Sequence, residues 1–142
     1  MIAFILLLFV NIWLLSQTRE PQKMIEIKER YKILRDHLTE TENEKFHMLT
    51  RCTPLTGFTK MVDEVGYNTN KGSEIAICLE GEVNDIFHVL IHELAHSTLD
   101  EYSHSPEFWK NYKELREICI ELGIYKKINE KKEFCGKHIQ DK

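Results

Sequence analysis

Ile2 to Leu15 is a run of 14 residues broken only by Asn11. As a helix it would span about 21 Å, short of a hydrocarbon core of roughly 30 Å, and it would be apolar on every side. The pattern then becomes periodic. Pro21 opens a helix, and Ile27, Tyr31, Leu34 and Leu38 recur on one face of it. Its other face mixes both charges, which speaks against a membrane-surface stalk. Residues 39–56 are polar and read as loop with one helical turn. Phe58 to Val65 is β-prone, Gly66 to Gly72 is rich in turn formers, and Glu74 to Leu79 is a short apolar run. Together these predict a hairpin or two strands of a small sheet. Residues 84–99 predict a helix with Asn84 as its cap and Asp85 in its first turn. Ser105-Pro106-Glu107 starts another, which carries Phe108, Trp109, Tyr112, Leu115, Ile118, Cys119 and Leu122 and stops at Gly123. The charged residues 126–134 predict a last short helix.

The 142 residues are 42% hydrophobic and 30% charged, enough for one globular core and too apolar for a disordered chain. A net charge of −4 excludes a protein that coats nucleic acid by charge alone. The acid is concentrated: residues 52–107 hold 10 acidic against 2 basic side chains, while residues 108–142 are mildly basic. No basic residue precedes the apolar run, whereas Arg19, Lys23, Lys28, Arg30, Lys32 and Arg35 follow it. By the positive-inside rule the run is a single-pass N-terminal anchor with the body in the cytoplasm. A cleaved signal segment of a secreted chain is the alternative. Cys52, Cys78, Cys119 and Cys135 form no CxxC pair, so a thiolate zinc knuckle is disfavoured. They would make two disulfides in a secreted chain and stay free in the cytosol, with Cys78 and Cys119 as small core residues.

The chemistry is concentrated in His92-Glu93-Leu94-Ala95-His96, an HExxH sequence inside an apolar helical run. Positions i and i+4 share a helix face, so His92 and His96 can point at one ion. Glu93 is placed to take a proton from a water that zinc has acidified, and to return it to the leaving amine. His104, just before the Ser105 cap, leads as third ligand. Asp100, Glu101, Glu114 and Glu121 are the alternatives. Zn2+ suits an open set of neutral imidazoles better than iron, cobalt or nickel. His88 reads as a partly buried helix histidine or as a partner of His92. His37, His47 and His138 read as solvated. Phe108 and Trp109 read as core that buttresses His104, Tyr102 and Tyr112 as alternative oxyanion donors, and residues 126–132 as a solvated lysine-rich face. The acidic excess of 52–107 would favour basic substrates or simply solubility.

The stretch from Glu74 to Trp109, EIAICLEGEVNDIFHVLIHELAHSTLDEYSHSPEFW, resembles the WLM metallopeptidases, relatives of the SprT-like proteases that act on DNA–protein crosslinks. Its HSPEFW segment is also similar to the YgjP-type metallopeptidases. The resemblance implies a compact α+β, zincin-like domain with a small β-sheet and an HExxH active-site helix, here preceded by an N-terminal hydrophobic helix. It implies His92, His96 and His104 as zinc ligands and Glu93 as the catalytic acid. No Met follows Met61, so a metzincin Met-turn is absent. The chain then divides into a membrane anchor or signal segment (1–18), an amphipathic helix and loop (19–50), the metallopeptidase core (51–125) and a charged C-terminal helix or tail (126–142). The expected activity is membrane-tethered, zinc-dependent hydrolysis of a protein or peptide substrate. The alternatives are a crosslink protease or a non-catalytic module with a structural metal. Nucleic acid is not a favoured partner, because the site region is acidic and the tail holds no DNA-binding module.

Overall fold

The computed structural model describes residues 1–59 and 65–142. Helix α1 (Ile2–Gln17) has no buried residue. Helix α2 (Gln22–Glu40) follows Pro21 and buries Met24, Ile27, Tyr31, Leu34 and Leu38, the apolar face that its spacing predicts. Among the described residues no single helix is long and apolar enough to cross a membrane. α1 and α2 reach that length and apolarity only together, with a 48° bend between them.

Three short strands make the main sheet: β1 (Leu55–Phe58), β2 (Gly66–Thr69) and β3 (Glu74–Cys78), in the order β1-β3-β2. β3 is parallel to β1 and antiparallel to β2. The strand expected over Phe58 to Val65 falls largely on 60–64, outside the described residues. The turn expected over Gly66 to Gly72 shrinks to Asn70, Lys71 and Gly72, all at positive φ. Tertiary bonds outweigh local turn preference here. Asn68, a turn former by itself, donates its side-chain amide to the Glu93 carbonyl (2.9 Å) and to Ser97 Oγ (2.7 Å). Gly66 lets β2 pass this close to the next helix: a Cβ there would lie 2.6 Å from Val89 Cγ1.

Helix α3 (Val83–His96) packs on β2 and β3. It buries Ile86, Phe87, Val89, Leu90, Ile91 and Leu94, each such side chain stabilising the fold by about 1.5–3 kcal/mol. Its N-cap is Glu82, with no side-chain cap bond. Asn84, the expected cap, instead clasps the Lys126 backbone, accepting from its N–H and donating to its carbonyl, both at 2.8 Å. Helix α4 (Pro106–Glu121) does start at the Ser105 cap, whose Oγ accepts the Phe108 N–H at 3.2 Å. It ends before Gly123, which adopts positive φ as expected.

The expected helix over 126–134 does not form. Bonded to Asn84 at Lys126, the chain continues into a hairpin of β4 (Lys132–Phe134) and β5 (Lys137–Ile139). Its two linking residues, Cys135 and Gly136, are both left-handed, as a tight hairpin turn requires. A Cys78–Cys135 disulfide joins this hairpin to β3, and Cys52 and Cys119 are free. Lys132 Nζ, 2.8 Å from the buried Asp85 carboxylate, holds it to the start of α3.

Candidate metal centre and its cleft

The last turns of α3 hold His92 and His96 one above the other, with ring centroids 5.0 Å apart. The chain then leaves the helix and returns. His104, eight residues on, brings its Nε2 to 3.0 Å from His92 Nε2. One ligating atom from each of the three rings lies within 4.8 Å of the others. The residues after His104 fix it in place. The Ser105 cap aims α4 away, and Trp109 lays its ring nearly parallel to His104 (5.7 Å, 26°). Phe108, fully buried, meets His104 edge-on at 4.8 Å. The buttress expected of this pair is therefore present, although Trp109 is only half-buried and also lines the cleft.

Burial, aided by the neighbouring histidines, pushes His92 down to about 3, and burial with His104 lowers His96. Both rings are neutral near pH 7, so each keeps a lone pair for an ion. Two ring nitrogens at 3.0 Å repel unless a proton or a cation lies between them. His96 Nδ1 is buried without a hydrogen-bond partner among the described residues. The three imidazoles converge beside an open cleft, a donor set able to hold a divalent metal ion. The cleft, about 520 Å³, also takes Glu93, Tyr102 and the edge strand β2 into its lining. Glu93 is buried beside His92, and its carbonyl is the one that Asn68 holds.

The acidic alternatives lie elsewhere. Asp100 is bonded by Lys71 and Glu101 by Ser103, Glu114 pairs with Lys45, and Glu121 is exposed. None joins the histidine cluster.

One turn before His92 the same helix carries a different arrangement. The Asp141 side chain is fully enclosed. It accepts the hydroxyls of Tyr112 and Tyr125, both at 2.5 Å, and the Ile128 N–H at 2.7 Å. His88 Nδ1 lies 3.1 and 3.0 Å from those two phenol oxygens. Both phenol protons point to Asp141, so these contacts assign a proton to His88 Nδ1. Burial alone would raise the Asp141 carboxyl. The bonds from His88, Tyr112, Tyr125 and Ile128 outweigh it and hold the group below the usual carboxylate range. Burial and Asp141 push the Tyr112 hydroxyl well up. Tyr112 is thus committed to Asp141 and does not line the cleft, while Tyr102 does.

Sequence reasoning missed Asp141, Tyr125 and the whole hairpin. His138, expected in solvent, is exposed on β5 but lies on the cleft wall. His47 is exposed and His37 half-buried. The signal for the network was slight: a single acid among apolar and basic residues near the end of the chain.

Fold and site together define a class: a small α+β domain whose helix α3 carries an HExxH pair joined by a third histidine from the following loop. Within it, the chain belongs to the WLM domain family, whose model matches residues 51–142. It is 34% identical over 136 residues to the uncharacterized protein R325 of Acanthamoeba polyphaga mimivirus, with 81% of this chain and 68% of that protein covered. It is also similar to the crystal structure of the metallopeptidase zymogen of Pyrococcus abyssi abylysin. There the identity is 21% and the TM-score 0.42, over 67% of this chain and 97% of that one.

Proposed function

We propose that this chain is a zinc-dependent metallopeptidase that hydrolyses peptide bonds in a protein or peptide substrate. The observation that carries the reading is the convergence of His92, His96 and His104 beside Glu93 on the lining of one open cleft. The three imidazoles hold the ion. A bound zinc supplies the acidity that makes water a nucleophile near pH 7 and polarises the carbonyl under attack. The Glu93 carboxylate takes the water's proton and gives it to the leaving amine. Its burial keeps competing solvent away from that transfer, and the Asn68 bond to its carbonyl fixes the helix turn that carries it. The β2 edge gives an extended peptide backbone groups to pair with. WLM membership supports the same reading.

We also propose attachment to a membrane through α1, whose apolar side chains are exposed on every face. The Cys78–Cys135 disulfide favours an oxidising compartment for the body over the cytosol.

The test is turnover of a mixed peptide pool by the zinc-loaded chain and by its Glu93→Gln variant. The reading requires cleavage by the first, a loss of about 10²–10⁴-fold in the second, and the same zinc content in both. Equal turnover, or none in either, contradicts it.

A further inference from the structure

Part of the cleft's wall is made by residues 137–142, and its charge is unlike that of the rest of the molecule. Lys137, His138, Gln140 and Lys142 all line the cleft. Glu93 carries the sole side-chain carboxylate among its described lining residues, in a chain whose net charge is −4. Asp141, the acid between these residues, is turned inward and consumed by Tyr112, Tyr125 and Ile128. Burying that carboxylate takes its charge off this part of the wall.

Lys142 is held in place rather than loose. Arg116 Nη1 donates to its carbonyl at 2.9 Å, and its ammonium stands 4.9 Å from the centre of the Trp109 ring. That ring is the one stacked on His104. A cation therefore lies one aromatic ring from the histidine cluster. Lys137 adds a second, exposed cation at the start of β5. The hairpin that carries it is tied down by the disulfide to β3 and by the Lys132–Asp85 ion pair.

We infer that Lys142 and Lys137 make this cleft selective for peptides with an acidic side chain next to the bond that is cut. The inference rests on the proposed peptidase reading and gives its substrate class. It runs against the expectation drawn from residues 52–107: among the described residues, the acids of that segment other than Glu93 lie outside the cleft. Two lysines in a cavity of about 520 Å³ match one or two carboxylates, and are too few to hold the backbone of a nucleic acid on a net-negative chain.

The experiment uses the full chain in a neutral detergent, loaded with zinc and carrying Glu93→Gln so that peptides bind without being cut. Fluorescence anisotropy compares two peptides of one sequence, with Asp or with Lys at the central positions. The inference requires the Asp peptide to bind about tenfold tighter, a ratio that falls as salt rises. Adding Lys137→Glu and Lys142→Glu must invert the order of the two peptides. Lys113→Glu with Lys127→Glu, exposed and outside the cleft, changes net charge equally and must leave the ratio in place. Equal binding of both peptides, an order insensitive to the 137/142 pair, or tighter binding of a single-stranded oligonucleotide overturns the inference. Each of these results is read without turnover, so the charge preference and the hydrolytic reading fail separately.

Discussion

Helix α3 carries two histidine arrangements one turn apart, and they are opposites. His88 is buried, its Nδ1 faces two phenol oxygens, and the acid behind them is fully enclosed. His92 is half-buried, and its Nε2 faces the Nε2 of another histidine. In the first the protein supplies the partners of the imidazole nitrogen and of the acid, and in the second three imidazoles face one another. Buried polar groups left without protein partners mark a place where something else is meant to bind. A satisfied network holds α3, α4 and the chain end together. The unsatisfied one gives up stability for a site.

This contrast is sharpest in stability. Asp141→Ala strands two phenols, an imidazole and a backbone amide, and is expected to cost about 3–5 kcal/mol. Thermal unfolding would show it as a melting temperature lower by roughly 10 °C. A change within about 1 °C would mean that the network is not a structural anchor. Opening the Cys78–Cys135 link with a reductant is expected to cost about 2–4 kcal/mol. Because the hairpin is also held by Asp141 and Lys132, a reduced chain should remain folded by circular dichroism, and global unfolding on reduction would contradict that division of labour.

The pH dependence separates the two arrangements next. His92 and His96 are lowered in the fold, so below about 6.5 the unfolded chain takes up protons that the folded chain refuses. Stability of the metal-free protein should fall from there down to about pH 3, and zinc binding should fail over the same range. Asp141 is also lowered, so it stabilises at neutral pH and loses that contribution only in stronger acid, as its carboxyl is protonated. Asp141→Asn should therefore flatten the acid arm alone, and His92→Gln the arm just below neutrality. The smallest effect falls on the metal-free stability of His104→Ala. His104 is exposed, so the change should stay within about 0.5 kcal/mol. A large loss would make His104 structural.

Much of the site was legible because its signals are local. HExxH places two rings by helix periodicity, and Ser105-Pro106 fixes where α4 begins, hence where His104 must lie. The apolar face of α2 was legible for the same reason. The errors share a cause in long-range bonds. Asn84 is an acceptable cap, but Lys126, 42 residues away, takes its side chain. Asn68 reads as a turn until its bonds to α3 draw it into a strand. Residues 126–134 have helix-forming composition. Asn84 and Asp141 accept the Lys126 and Ile128 N–H groups instead. The pairing of Cys78 with Cys135 depends on that hairpin and could not be read from spacing.

Zinc titration of the wild-type chain beside His104→Ala decides whether three histidines form one open site. The expected result is one ion per chain, with an affinity that drops in the variant by more than the roughly 10–100-fold of a change outside the ligand set. Equal affinity in the two proteins, or no ion in either at pH 7, would contradict a three-histidine centre.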